Sequence, residues 1–465
     1  MKHQKRFPYI HALMFIVFAA FIFIPAFLPL PGEDATVLNN FTLFARFAIW
    51  GLWFPLLLIS VIFFGRIWCG VLCPQGALSE FTSRWGLNLR LPKWMRRAWI
   101  PIAAFFVITV TGKLVGVDEF PLGAIEILGG TMVLAAIVGF VYVKGMRPWC
   151  RYLCPVGALM GVFARMGAVS LEKRASHGKA SSLRRRRGRE RRVRIDFSYS
   201  GPERREADRR SNIKPDICPT FINPNTKSAS SHCIECFKCV NGGEHSHSLH
   251  LEIRRPGVEI EEIEKRDPSR WEVMFLFAAT GLGLGDFYSE VGLFLAKYTS
   301  ALGALFERLG LADLMAQSGP WWLMMNYPKH GEVLTWLDST AIITFITAFM
   351  FITFLVLYAL TRLSTSILDK YRENLALGYL YAPIAMVSLV VGVGGMIFSS
   401  LGFLGLDEFS IHAVEAGVFA LGGLWSVILA LRLTAHISRT RQAMAMVPNF
   451  IGIATVGFLW YQVLF

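Results

Sequence analysis

Residues 68–78 read WCGVLCPQGAL, and residues 149–159 read WCRYLCPVGAL. Trp, Cys, Leu, Cys, Pro, Gly, Ala and Leu fall at identical offsets, 81 residues apart. Each string follows a long apolar stretch, so the pattern is an internal repeat: a helix, then two cysteines and a proline. Cysteines four apart on a helix would share one face, about 5–6 Å apart. A proline directly after the second cysteine disfavours helical backbone at that cysteine and brings no N–H. The chain is expected to turn there, with Gly and Ala just beyond leaving room for a bulky inorganic group. A pair of buried apolar cysteines at a helix end is the bland alternative for one copy. Two copies, with four further cysteines in the chain, count against it.

The setting of the repeat is apolar. The 465 residues are 54% hydrophobic and 17% charged, with a mean hydropathy of +0.46. Soluble domains carry about 25% charged residues, so much of this surface is expected to face lipid. Apolar segments near the length of a spanning helix occur at 9–31, 43–65, 98–117, 122–143, 272–296, 338–362, 376–403, 411–432 and 444–464. The expected fold class is therefore an all-α polytopic membrane helical bundle of about nine transmembrane helices, with a small cytoplasmic ferredoxin-like insert that contains cysteines. MKHQKRFPYIHALMFIVFAAF reads as a membrane anchor, because its apolar run continues with no small-x-small cleavage site. The basic stretches KHQKR, RWGLNLRLPKWMRR, KGMRPWCR, TRLSTSILDKYRE and RLTAHISRTR alternate with the acidic or neutral PGEDATVLNN, VDEF and GLDEF. The positive-inside rule then predicts a cytoplasmic N-terminus in a bacterial-type plasma (inner) membrane, crossed several times. Three parts follow: a membrane domain at 1–165 with both repeats, a cytoplasmic insert at 166–270, and a second membrane domain at 271–465.

The net charge of +14 is concentrated. Residues 173–214 hold 16 Lys/Arg against 5 Asp/Glu. An anionic lipid surface suits this segment better than nucleic acid, which is not expected as a partner. LRRRRGRERRVR (183–194) would dock lipid or an acidic redox protein, or serve as a solvated linker without a core of its own.

The insert holds the other four cysteines. CIECFKC places Cys233, Cys236 and Cys239 at C-x2-C-x2-C spacing, the three-cysteine core of a bacterial ferredoxin motif, in which a Cys-Pro cysteine elsewhere supplies a fourth ligand. Cys218-Pro219 lies upstream in DICPTFINPN, and NGGEHSHS follows Cys239 in place of the usual x3-C-P. With all eight cysteines at the reducing cytoplasmic side, metal binding is favoured over disulfides. Cys69, Cys73, Cys150, Cys154, Cys218, Cys233, Cys236 and Cys239 are the candidate cofactor and metal ligands, in number enough for two [4Fe–4S] clusters. Zinc is the competing metal, since four thiolates also suit it. Two pairings stay open. Either the helix-end pairs hold one cluster and the insert cysteines the other, or a Cys-Pro cysteine serves the cluster of a different motif.

The paired W-C-x3-C-P-x-G-A-L segments, followed by C-P and E-C-F-x-C, resemble the membrane iron–sulfur proteins related to NosR and NapH, and more distantly the CcoG/FixG type. The resemblance covers about residues 40–245 and carries over the eight cysteines with Pro74 and Pro155. It implies a membrane-embedded polyferredoxin that passes electrons between quinone, or another donor, and a respiratory or metal-maturation partner. The leading expectation is a membrane-bound 4Fe–4S electron-transfer protein, a component of electron transport and not a stand-alone catalyst, working with a redox protein partner. An assembly or regulatory factor for a metalloenzyme and a zinc-stabilised scaffold are the alternatives. Arg66, Arg147 and Arg151 would raise cluster potentials by favouring the more negative reduced state. Quinone is a candidate cofactor, with Asp118, Glu119, Glu126, Asp286 and Glu290 as intramembrane or membrane-edge carboxylates. Haem b is not favoured, because His11, His412 and His436 form no evident pair at one depth. His245, His247 and His250 read as a polar loop before they read as a metal site.

Overall fold

The computed structural model describes residues 6–32, 34–173, 193–196, 217–223, 227, 230–241, 249–253, 268–290, 292–368, 376–435 and 437–464. Most of the Arg-rich run, together with His245, His247 and His436, lies outside the described residues. The protein is mainly helical. Among the described residues, six helices are long and apolar enough to cross a membrane: Phe7–Phe27, Phe41–Phe64, Pro121–Val141, Trp336–Ile367, Glu408–Leu433 and Arg439–Val463. The other three segments expected to span differ for visible reasons. Ile100–Val115 is a helix of only 16 residues. Residues 376–403 break at Gly394 into short helical pieces, Ala382–Val393 and Gly395–Ser400, between 3₁₀ turns. Residues 272–296 fall on two helices, Arg270–Glu290 and Gly292–Arg308, and the first carries Asp286 and Glu290 near its end.

The chain divides into two compact units, each assembled from three stretches: 1–17, 57–97 and 132–267 in one, and 18–56, 98–131 and 268–465 in the other. In the first unit the polar and apolar alternation of VSLEK and LHLEI builds strands, as period-two patterning dictates. β1 (Val169–Lys173) and β2 (Val193–Asp196) both pair antiparallel with β3 (Leu249–Ile253), so the sheet order is β1-β3-β2. His250 sits in β3 with Glu172 and Asp196 as register partners, which places it in a strand. Leu171 of β1 buries against Phe237 and Val240 of the CIECFKCV loop, with Phe7, Ile67 and Ile217 packed around them.

Helix α1 (Pro74–Ser83) lies on the chain around Gly139 in the same unit. A Cβ at Gly139 would collide with the Ser79 carbonyl, and Thr82 donates its hydroxyl hydrogen to the Ala136 carbonyl at 3.0 Å. Bare backbone at residue 139 is thus what lets α1 approach.

In the second unit, helix α2 (Arg270–Glu290) packs on helix α3 (Trp336–Ile367) through its GLGLG stretch. A Cβ at Gly281 would lie 2.7 Å from the Thr353 Cβ and 2.9 Å from the Met350 Cα; at Gly285 it would lie 2.9 Å from the Phe349 Cβ. Leu282, Ile342 and Ile346 close the contact with Val110 and Leu114. Thr335 and Asp338 form a capping box that opens α3. Small residues at i and i+4 allow the backbones to approach closely, which is how helices associate where lipid removes the hydrophobic drive. Replacing Gly281 by Leu should therefore cost about 1–3 kcal/mol through overpacking. Thermal unfolding in detergent should show a lower midpoint, whereas the same substitution at Gly395, which has nothing within 4 Å of its Cβ position, should leave it unchanged.

Candidate iron–sulfur site

Both repeats fold the same way, in three steps. A π-helical turn covers Trp68–Leu72 in the first copy and Trp149–Leu153 in the second. The second cysteine then closes it: the Cys73 N–H donates to the Trp68 carbonyl at 2.8 Å, and the Cys154 N–H to the Trp149 carbonyl at 2.9 Å. That cysteine itself is extended, with φ −67° and ψ 116° at Cys73 and φ −61° and ψ 115° at Cys154, as a residue before proline prefers. Each cysteine pair thus spans a π turn and a bend, not one face of an α-helix. Single π turns are uncommon and concentrate at functional sites.

The bend makes each second cysteine the N-cap of a new helix: Cys73 for α1, and Cys154 for the helix Pro155–Phe163. Proline fills the first helical position, where its missing N–H costs nothing. The thiol sulfur serves as the cap acceptor. The Gly76 N–H points to Cys73 Sγ at 3.4 Å, and the Gly157 N–H to Cys154 Sγ at 3.2 Å. This is a physical reason for the C-P-x-G order: proline starts the helix, and glycine both donates to sulfur and leaves space. A Cβ at Gly76 would come within 3.1 Å of Cys150 Sγ and 3.3 Å of Arg147 Nη1. One at Gly157 would come within 3.2 Å of Cys154 Cβ and 3.3 Å of Arg66 Nη2.

The first repeat therefore meets the second. Burial pushes the Cys73 thiol up to about 11, with Cys69 adding to it. Burial pushes Cys154 up to about 12, reinforced by Cys73 and Cys69. Cys150 is raised well above the usual thiol range by burial, against the pull of Arg147, with Cys73, Cys154 and Cys69 adding to the rise. These four sulfurs are electrostatic neighbours. Cys218, Cys233, Cys236 and Cys239 form a second neighbourhood. Burial pushes Cys236 up to about 11, against Arg147, with Cys218 and Cys233 adding. Burial and the other three thiols likewise raise Cys239. Among the described residues, no three His, Cys, Asp or Glu side chains gather closely enough to hold a single metal ion.

In the insert loop Ile234, Glu235, Cys236, Phe237 and Val240 are buried, with Cys233 and Cys239 half-buried. Glu235 and Phe237 take positive φ, 51° and 57°, which turns the backbone sharply between cysteines. Backbone N–H groups of Glu235 and Lys238 donate to the sulfurs of Cys233 and Cys236. Cys218 Sγ lies 3.3 Å from Thr220 Oγ1, and the Thr220 hydroxyl donates to the His232 carbonyl, which ties Cys218 to the same loop. The two neighbourhoods meet at Gly70, between Cys69 and Cys73. A Cβ there would collide with the Ile234 carbonyl and stand 2.8 Å from the Cys236 nitrogen. His11 meets the carbonyl of that same Gly70 at 3.2 Å.

Charge surrounds the thiols. Arg66 and Arg147 are 3% and 1% exposed. Burial works against their charge, yet nearby groups outweigh it and hold both pKa values above the usual range: Cys69, Cys154 and Cys150 for Arg66, and Glu80, Cys150 and Cys236 for Arg147. Arg66 donates to the Ser231 carbonyl at 2.7 Å and lies 3.8 Å from Cys69 Sγ. Arg147 donates to the Glu80 carboxylate at 2.7 Å and to the Cys69 carbonyl at 3.0 Å, while its backbone N–H donates to the Pro219 carbonyl at 2.8 Å. Glu80 also takes Lys238 at 2.6 Å and Arg84 at 3.2 Å. Burial would raise the Glu80 carboxyl, but Arg147 and Lys238 hold it down at about 2. Arg151 lies outside this pattern, stacked on Tyr152 at 5.8 Å.

Glu80 escaped the sequence reading, since one acid in QGALSEF carries no spacing signal. Arg66 and Arg147 extend the repeat by two residues upstream of its tryptophans, a signal that was readable. The donor set fits an anionic thiolate-held cluster. Four soft ligands gather, glycines leave space beside sulfur, N–H groups point at sulfur, and two buried cations, Arg66 and Arg147, lie beside the thiols.

Comparison with known proteins agrees with this chemistry. A family model described as a 4Fe-4S binding domain matches residues 47–102 and 127–174, one segment over each repeat. The methylamine utilization ferredoxin-type protein MauN of Paracoccus denitrificans is 28% identical over 124 residues, covering 24% of this chain and 43% of MauN. The putative electron transport protein YccM of Escherichia coli is 27% identical over 135 residues, covering 24% of this chain and 37% of YccM. An uncharacterised protein of Methanocaldococcus jannaschii is 22% identical over 182 residues, covering 38% of this chain and 61% of that protein. The chain thus spans less than two thirds of these relatives' lengths. No solved structure matches.

Replacing Gly70 by Ala tests the meeting of the two cysteine groups. The obstructing atoms are backbone and cannot swing aside, so iron and sulfide bound after anaerobic reconstitution should fall well below the wild-type amount. Gly145→Ala, whose Cβ meets nothing within 4 Å but whose φ of +75° imposes backbone strain of its own, should retain it.

Proposed function

We propose that the protein is a multi-pass membrane iron–sulfur electron carrier of the ferredoxin type, with Cys69, Cys73, Cys150 and Cys154 holding one [4Fe–4S] cluster and Cys218, Cys233, Cys236 and Cys239 a second. The observation that carries this reading is the grouping of the eight thiols into two sets of four, one built wholly from the repeat. The matched 4Fe-4S domain and the names of MauN and YccM support an electron-transfer role. A bound cluster would supply one-electron exchange at little structural cost, and the chain does the rest. The thiols must lose their protons on loading, so assembly releases protons and weakens as pH falls. Gly76 and Gly157 orient sulfur through their N–H groups, and Arg66 and Arg147 offset the negative charge.

The six apolar helices support a multi-pass membrane location; with all nine expected segments spanning, the basic loops fall on one side and place the N-terminus and the cysteines at the cytoplasmic face of a plasma membrane. The NosR/NapH relationship, spans beyond six, and the identity of the donor (a soluble protein or quinol) belong to this proposal. So does a respiratory or metal-maturation partner.

Purification under anaerobic conditions tests the reading. A brown protein, bleached by dithionite and carrying about eight iron and eight sulfide per chain, is expected for two cubane clusters. Zinc without sulfide would overturn it and return the zinc-scaffold alternative.

A further inference from the structure

Three ionisable groups of the second unit take no part in the iron–sulfur site. Asp286 and Glu290 lie one turn apart on α2, so they share a face. Lys113, on the helix Ile100–Val115, donates its ammonium hydrogen to the Glu290 carboxylate at 2.8 Å. Packing fixes their depth. A Cβ at Gly285 would lie 3.0 Å from the Ile346 Cα, and Tyr288 stacks on Phe349 at 4.8 Å. Ile346 and Phe349 lie about 15–20 Å along α3 from its start, inside a helix of 32 residues. Asp286 is therefore level with the interior of a helix able to span a membrane, where an ionisable side chain is costly and marks function.

Charge at this depth does not balance. The charged groups that act on Asp286 are Lys113, Glu290 and Asp118. From the other elements packed on α2, α3 presents Ile346 and Phe349, while Phe287 and Tyr288 turn to Trp460 and Gln462 of the last helix. Lys113 acts on all three carboxylates, yet one ammonium cannot neutralise three. Its hydrogen bond goes to Glu290, whose side chain is 48% exposed. Asp286 Oδ1 is shut away from solvent and has no hydrogen-bond partner. A buried carboxylate beside like charge and without a partner is far costlier than a neutral carboxyl.

We propose that Asp286 is an intramembrane proton-binding site, occupied by a proton while Lys113 is held by Glu290. The proposal rests on the membrane reading of α3 and stands apart from the cluster assignment. Only an O–H bond is made or broken: water delivers the proton to the carboxylate, and the proton returns to water. Glu290, half-exposed and one turn on, is the group through which it passes. Lys113 is a positioning residue, because its ammonium decides which carboxylate stays ionised. The second unit, which holds none of the eight cysteines, thereby has a chemistry of its own.

Infrared difference spectra of the full chain in an ester-free detergent test this, since the carbonyl band of a protonated carboxyl is distinct from that of a carboxylate. Wild type at neutral pH should show such a band, shifted in heavy water, that Asp286→Asn lacks. Asparagine mimics the protonated group, so Asp286→Asn should keep the wild-type thermal midpoint at that pH. The other two variants keep Asp286 itself and should move the band in opposite directions. In Glu290→Gln the freed ammonium turns to Asp286, and the band should be lost at neutral pH. In Lys113→Met the band should persist to higher pH than in wild type. Absence of an Asp286-dependent band at neutral pH, or movement of the band in the same direction in both variants, would overturn the inference. So would loss of the band on adding sodium at fixed pH, which would mark a metal-cation site instead. Recovery of the chain in the soluble fraction would overturn the membrane reading on which it stands.

Discussion

Two guanidinium groups shut away from water set the terms for the first unit. Arg66 and Arg147 are almost wholly buried, and each reaches across from its own repeat to the other. A buried cation demands an anion nearby and a full set of hydrogen-bond acceptors. The fold meets the second demand with the Ser231 and Cys69 carbonyls, and it meets the first with one carboxylate, Glu80. Thiolate sulfur beside both groups would supply further negative charge. Burial holds the free thiols protonated, so a cofactor that converts them to thiolates completes the electrostatics. Cluster loading and the stability of this unit are thereby linked through charge as well as through ligand bonds.

The same arrangement explains why the motif repeats as it does. Tryptophan, cysteine, proline and glycine are successive instructions to the backbone: a π turn, an extended cysteine, a helix start and an N–H donor to sulfur. Two copies give four thiols and two arginines from one local design. The insert uses a different device, a loop turned sharply at Glu235 and Phe237 that packs Phe237 and Val240 against Leu171. Gly70 lets the two devices touch.

Much of this was legible in the chain. The repeat, the eight cysteines, the helix-breaking prolines and the predominantly apolar helical character all follow from spacing and composition. Other features were not, for identifiable reasons. A C-x3-C spacing reads as one face of an α-helix, and only the i to i−5 bonds at Cys73 and Cys154 reveal the π turn. Glu80 is a single acid whose partner lies 67 residues away. Strands β1 and β2 are short, and they pair with a third strand far along the chain. Hydropathy marks apolar length but not continuity, so the stretch containing Gly394 reads as one helix where the backbone forms several pieces.

The partition of the eight thiols is the central claim, and single cysteine substitutions read by electron paramagnetic resonance and iron analysis test it most directly. Alanine at Cys69, Cys73, Cys150 or Cys154 should abolish the same one of two reduced signals and about half the iron. Alanine at Cys218, Cys233, Cys236 or Cys239 should abolish the other. A Cys73→Ala or Cys154→Ala protein that loses the signal belonging to Cys236 would show that ligands are exchanged between the groups, and would contradict the account.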